Sequence, residues 1–212
     1  MVNIWKIGAW PGLWGKEPTE REDRVRREQK FINEYALPND FVALGSAYVS
    51  KDMLLAKNEL RSVIKLGYRE ENNKEINSGQ LNSREKMLTE FANINDGEIV
   101  LLYFIGETPH NGKVYVGEAK EEKNPYNYTH RVKTPYYYVE KKSKENIIKD
   151  TIGIHIAPHR IGVKWLFDKK PFPADFSGIP YLLRIYQVLE KDLEKKIKDK
   201  ELRKFLERKM RE

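Results

Sequence analysis

The chain has 212 residues and a mass of 25.0 kDa, which suits one fairly large domain or one domain with an extension. Basic residues number 39 against 32 acidic, a net charge of +7 that favours polyanions without naming one, and 40% apolar residues leave material for a core. The absence of cysteine excludes disulfides, thiol catalysis and cysteine-ligated zinc. No apolar run approaches the roughly 18 residues of a membrane span and no signal peptide opens the chain, so a soluble cytoplasmic protein is expected.

Asn3 to Gly8 alternates apolar and polar residues, as a half-buried strand does. It runs into a loop, Ala9 to Gly15, in which Trp10 and Trp14 flank Pro11 and Gly12. Thr19 and Glu22 form a capping box, which predicts a charged helix to about Tyr35 that buries Val25, Phe31, Ile32 and Tyr35 and ends at Pro38. Phe41 to Gly45 reads as a short buried strand. Ser50 is placed to cap a second helix with Leu55, Ala56, Leu60, Val63 and Ile64 on one face. The polar stretch from Tyr68 to Leu81 reads as a loop. Asn82, with Glu85 behind it, then starts a helix carrying Met87, Leu88, Phe91 and Ile94.

Asp96-Gly97 turns the chain into Glu98 to Ile105, whose continuous apolar character predicts a central strand. Asn111-Gly112 signals a hairpin, with Lys113 to Lys120 as the return strand. Three more strands are expected at Tyr136 to Glu140, Thr151 to Ala157 and Arg160 to Phe167. Pro171, Pro173 and Pro180 mark an irregular connection. A long helix should begin near Tyr181 and bury Ile185, Tyr186, Leu189, Leu193 and Ile197, with only a thin apolar stripe of Leu202, Phe205 and Leu206 beyond. Six or seven strands among four helices give an α+β fold: a small mixed β-barrel flanked by helices, with a long charged C-terminal helix. The expected division is a folded domain over 1–190 and a charged helical extension or linker over 191–212.

Catalytic signatures are sparse. The phosphate loop, the dinucleotide fingerprint and the hydrolase nucleophile elbow are all missing from the sequence. His155 and His159 have the four-residue spacing of a helical metal pair, but Pro158 lies between them and Ile154-His155-Ile156 reads as a strand, so no metal site or cofactor is expected. Glu118-Ala119-Lys120 with Asp96 upstream resembles the acidic-then-Glu-x-Lys pattern of Mg²⁺-dependent nucleases. In a chain one-third charged the preferred reading is a solvent-facing strand edge.

The aromatic residues carry more. Trp5 and Trp165 read as core. Tyr126, Tyr128 and Tyr136 to Tyr138 sit among Lys123, His130, Arg131 and Lys133, a mixture suited to stacking bases and meeting phosphates. Strand alternation sets Tyr137 opposite Tyr136 and Tyr138, so one or two of these rings can line a site.

Three segments together resemble YTH domains and the related EVE and PUA-like modules. Ile99 to Ile105 followed by Val114-Tyr115-Val116-Gly117-Glu118-Ala119-Lys120 is similar to the YTH central hairpin. Arg160 to Leu166 with Lys170-Pro171-Phe172 is similar to the later Trp-bearing strand, and Ile4-Trp5-Lys6-Ile7 to the shared opening strand. The order matches from Asn3 to about Leu189. The resemblance implies a barrel that reads a methylated base in an aromatic cage. Such modules also form the amino-terminal specificity domain of McrB-type restriction proteins, especially archaeal ones, which implies a downstream AAA+ GTPase domain and a nuclease subunit as partners.

Where YTH domains place a first cage tryptophan, this chain has Leu44-Gly45-Ser46, so the expected cage is Trp10, Trp14, Tyr48 and Tyr137, with backbone near Ala9 and Ser46 on the base edge. Lys16, Arg21, Lys123, Arg131 and Lys133 are the expected phosphate contacts. The function expected is non-enzymatic recognition of N6-methyladenine in duplex DNA by base flipping. An RNA reader, a nuclease using Glu118 and Lys120, and a plain structural or protein-interaction domain are the alternatives, and C5- or N4-methylcytosine stays open as the base.

Overall fold

The computed structural model describes residues 1–9, 21–44, 51–105, 112–125, 133–139, 158–176 and 185–212. Among these residues, eight strands form a single mixed sheet: β1 (Ile4–Gly8), β2 (Phe41–Leu44), β3 (Ile99–Phe104), β4 (Gly112–Ala119), β5 (Tyr136–Tyr138), β6 (His159–Trp165), β7 (Phe172–Ala174) and β8 (Ile185–Val188). The main order is β2-β6-β4-β3-β1-β8, with β5 beside β6 and β7 beside β4. Only β1 and β3 run parallel. β2, at one end of this order, touches β1 near the other, so the sheet curls into a half-barrel, and the protein is α+β.

Alternation sorts the sheet into two buried faces. Val100, Leu102 and Phe104 of β3 join Trp5, Ile7, Ile161 and Val163 in the larger core, which is covered by α1 (Arg21–Phe31), α2 (Leu60–Asn72) and α3 (Ser78–Ala92). Ile99, Leu101 and Tyr103 point the other way, toward α4 (Glu190–Lys196) and α5 (Lys200–Arg211). All six residues of β3 are buried, which is the physical meaning of its unbroken apolar run. Trp5 and Trp165 lie in the larger core as expected, although the Trp165 indole N–H is buried there with no hydrogen-bond partner among the described residues.

Several expectations change. The helix expected from Ser50 starts at Leu60: residues 53–59 are turns, and Leu55 is exposed. Ser50 itself lies outside the described residues. The polar stretch from Tyr68 is helical up to Asn72, because Tyr68 is buried, and Asn73 ends the helix in the left-handed region at φ 50°. The next helix is capped by Asn77, whose side chain accepts the Gln80 N–H, not by Asn82. Leu81, inside the expected loop, is a core residue. At the other end of α1, Ile32–Ala36 continues as a π-helical turn.

The single long C-terminal helix is replaced by a strand and two helices. Ile185–Val188 pairs with β1, so Ile185 and Tyr186 belong to the sheet. The helical part breaks at Ile197, which bridges to Ala174, and Asp199 caps α5 by accepting the Leu202 N–H. The expected division after residue 190 falls within α4, one residue past its start. Beyond it Leu193, Ile197, Leu202 and Leu206 are all fully buried. Phe172–Ala174, expected to be irregular, forms β7, while Thr19, Asn111, Pro180 and the expected strand at Thr151 to Ala157 lie outside the described residues. No helix among the described residues is long and apolar enough to cross a membrane.

The docking of β8 on α4 carries a pH signature. The Tyr186 hydroxyl donates to Asp192 Oδ2 at 2.6 Å, and this bond, with burial second, pushes the hydroxyl up to about 12. Burial acts to raise the Asp192 carboxyl, but hydrogen bonds from Tyr186 and the Leu189 amide and the charges of Lys191 and Lys196 outweigh it and hold it below its usual range. The folded state therefore keeps the Tyr186 proton where an ordinary tyrosine, at 10.0, has released it. This stabilisation is whole below pH 10 and lost as pH rises toward about 12. Thermal melts across that interval should show a falling midpoint, and Tyr186→Phe should flatten the fall; an equally steep decline in the variant would contradict the assignment.

Candidate nucleic-acid interface

β6 brings the site together. Gly162 lies in the middle of it, and the 3-10 turn Glu121–Lys123 rests directly on its backbone. A Cβ at position 162 would sit 2.7 Å from the carbonyl carbon of Lys123, so only glycine admits this approach. The Lys120 N–H donates to the Gly162 carbonyl and the Gly162 N–H to that of Pro135, each at 2.8 Å. Asn124, buried, then donates from Nδ2 to the carbonyls of Thr134 (2.9 Å) and Tyr136 (2.8 Å). These bonds tie the turn to β5 and fix Lys123 beside Tyr137.

The result is an open cleft of about 460 Å³ between the end of the π-helical segment and the β5–β6 pair. Lys123, Pro125, Tyr137, Arg160, Phe41 and Asp40 line it. The Arg160 guanidinium lies 4.3 Å from the centroid of Phe41, a cation–π contact that presents a flat cationic surface. Asp40, at φ 52°, turns its carboxylate toward Lys123 Nζ at 2.9 Å, and Lys169 Nζ reaches its other oxygen at 3.4 Å. The hydrogen bond to Asp40 is the main reason the Lys123 ammonium is held above its usual range.

The three tyrosines alternate as expected. Tyr137 borders this cleft but is only 4% exposed and belongs to the larger core, while Tyr138 lines a second cleft of about 430 Å³ with Asp52, Leu55 and Ala56. Tyr136 is fully buried against Phe91, and its hydroxyl accepts the Met53 N–H and pairs with His159 Nδ1, each at 3.1 Å. Burial raises that hydroxyl far above the ordinary tyrosine range. His159 is thus a satisfied core histidine between the rings of Tyr136 and Tyr138, and His155 lies outside the described residues.

Of the expected site residues, Tyr137 and Lys123 meet at the cleft, and Lys133 is exposed with its ammonium 3.8 Å from Glu121 of the same turn. Ala9 is buried, and its N–H is engaged with the Tyr103 carbonyl at 2.7 Å, which leaves that donor occupied within the sheet. Arg21 opens α1. Trp10, Trp14, Tyr48, Ser46, Lys16 and Arg131 lie outside the described residues. Asp40, Arg160, Lys169 and Asn124 were not singled out from the sequence; only the Pro38-Asn39-Asp40 turn signal and the lone Gly162 in a strand hinted at this region.

At the Glu-x-Lys pattern, Lys120 Nζ is 2.8 Å from Glu118 Oε1 and each side chain is about one-quarter exposed. The hydrogen bond to Glu118 raises the ammonium; burial opposes it, and the charges of Glu118, Asp96 and Glu122 add to it. Asp96 Oδ1 accepts the Glu121 N–H at 2.7 Å. No three His, Asp or Glu residues converge as a metal set among the described residues.

The fold and the cleft thus define an α+β protein whose curled sheet sets Lys123 and Arg160 at a cleft walled by the buried rings of Tyr137 and Phe41. No protein-family model, no curated protein and no solved structure matches the chain.

Proposed function

We propose that this protein reads a methylated base, N6-methyladenine, in duplex DNA, as the specificity domain of an McrB-like restriction system. The observation that carries the reading is the meeting of Tyr137, largely buried in the cleft wall, and Lys123 at one open cleft beside Arg160. Those two residues stand out in the sequence for different reasons, one as a ring and one as a phosphate contact. Guanidinium planes and aromatic faces are the surfaces on which unstacked bases rest.

Trp10, Trp14 and Tyr48 are assigned to the cage with Tyr137, and Ser46 to the base edge. The flipped base costs a few kcal/mol to extract, which backbone contacts from Lys16, Arg21, Lys123, Arg131 and Lys133 help to offset. The chain itself performs no chemistry in this reading, which assigns that to a downstream AAA+ GTPase domain and a nuclease subunit. Burying one methyl group contributes about 0.8 kcal/mol, or roughly fourfold in affinity, and polar contacts to the base edge add to it. Binding to one duplex carrying adenine, N6-methyladenine or 5-methylcytosine at a fixed position should rank N6-methyladenine tightest by at least about fourfold. Equal affinity for the three would overturn the reading. Preference for a methylated RNA competitor would move it to RNA, and cleavage of the duplex in Mg²⁺ would favour a nuclease built on Glu118 and Lys120.

A further inference from the structure

Five non-glycine residues among those described have positive φ. Asn73 ends a helix; the other four lie in or beside one ion cluster, of which Asp40 and Lys169 are members. Asp40 has φ 52°, and Phe167, Asp168 and Lys169 form a tight turn with φ 53°, 51° and 60°. Three successive left-handed residues are costly for L-amino acids, and such strain persists where surrounding structure imposes it. Here it aims Lys169 back across β6. Lys169 Nζ lies 2.6 Å from the Leu37 carbonyl and 3.4 Å from Asp40, while Lys123 approaches the same carboxylate at 2.9 Å from the opposite turn. Two ammonium groups from distant segments converge on one anion. The cluster is open: the side chains of Asp40, Lys123 and Lys169 are 31%, 36% and 45% exposed.

We propose that Lys123 and Lys169 form a phosphodiester-binding site in which Asp40 is the resident counter-anion, displaced when a nucleic-acid phosphate arrives. The inference rests on the nucleic-acid reading of the cleft and adds Lys169, together with a role for Asp40. A carboxylate and a phosphodiester oxygen are both anionic acceptors with which a lysine ammonium pairs. While Asp40 occupies the site, it engages both ammonium groups and cancels one of their two positive charges, so the general attraction of the chain to any duplex is held down. A correctly seated duplex, anchored elsewhere by its base, supplies the local concentration that exchanges carboxylate for phosphate. Asp40 therefore raises specificity by lowering non-specific affinity.

Asp40→Asn is the decisive variant, because asparagine tolerates the left-handed backbone and keeps the shape while removing the charge. Measured with an unmodified 12-base-pair duplex over a salt series, it should bind about tenfold more tightly than wild type at low salt. Its slope of log affinity against log salt should steepen by between about one and two, each released lysine adding about 0.9. Lys169→Met in the Asp40→Asn background should return the slope about one unit toward wild type, a change that a purely structural lysine would not produce. Unchanged or weaker binding by a folded Asp40→Asn protein overturns the proposal, and so does an absence of binding by both proteins. Should Asp40→Asn fail to fold, Lys169→Met alone decides, measured on the same duplex carrying N6-methyladenine: a shallower slope supports the site and an unaltered slope overturns it. Loss of methyl discrimination with the Asp40 effect intact would instead count against the base-reading proposal alone.

Discussion

Replacing Glu98 by alanine should lower the unfolding free energy by about 3 to 5 kcal/mol, the range for stranding the partners of a buried ionic group. Glu98 is 7% exposed at the start of β3. Its Oε1 accepts Asn3 Nδ2 at 2.6 Å, and its Oε2 accepts Trp5 Nε1 at 2.7 Å and the Asn95 amide at 3.1 Å. Gln187 extends the network by donating to Asn3 Oδ1 at 3.0 Å. One carboxylate therefore joins β1, β3 and β8 at the point where the two parallel strands begin. Alanine removes the acceptor and leaves the Trp5 indole N–H and its neighbours buried without partners, whereas a deletion of donor and acceptor together would cost less. Glutamine keeps one acceptor oxygen and turns the other into a clashing donor, so its loss should be about half as large. For a chain of this size, each kcal/mol moves the melting midpoint by about 2 to 4 °C, so the alanine variant should melt roughly 6 to 20 °C lower. A thermal melt within 2 °C or so of wild type would mean that water replaces the carboxylate at little cost.

Glu98 also shows where sequence reading stops. Its position at the head of the central strand was legible, because Ile99 to Phe104 could only be buried on both faces. Its role was not, since an acidic residue after Asp96-Gly97 reads as the polar end of a turn. The same limit separates β8 from the helix expected there: Ile185 and Val188 suit a helical stripe equally well, and the deciding fact is the open edge of β1, a tertiary property. Short apolar runs leave helix and strand undetermined. The C-terminal segment misled for a related reason. Leu202 and Leu206 form a thin stripe, but one lying on the second face of the sheet needs no more. At the cleft, alternation correctly separated Tyr137 from its neighbours because that is local geometry. Asp40, Arg160 and Lys169 meet from segments far apart in the chain, and no spacing rule relates them.

Gly162→Ala should couple stability to binding more directly than any change at the ring residues. Its new methyl would meet the Lys123 carbonyl carbon at 2.7 Å, the Lys123 Cβ at 2.8 Å and the carbonyl oxygen at 2.9 Å. Two of these are backbone atoms, so no rotamer change relieves the contact; the Glu121–Lys123 turn has to lift from β6. Lifting it weakens the Lys120–Gly162 hydrogen bond and draws Lys123 away from Asp40. Overpacking of this kind costs about 1 to 3 kcal/mol, and the strained hydrogen bond adds about 1 more. Duplex affinity should fall with it, and the salt slope should shrink by about 0.9 as one phosphate contact is lost. Gly79→Ala is the contrasting control. There the nearest atom to the added methyl is Asn77 Oδ1 at 3.5 Å, an ordinary contact in the first turn of α3. That variant should be neutral or stabilised by up to about 1 kcal/mol, with its salt slope unaltered. If Gly162→Ala melts and binds like Gly79→Ala, the turn is not held by close approach to β6, and Lys123 owes its place at the cleft to something other than the missing side chain.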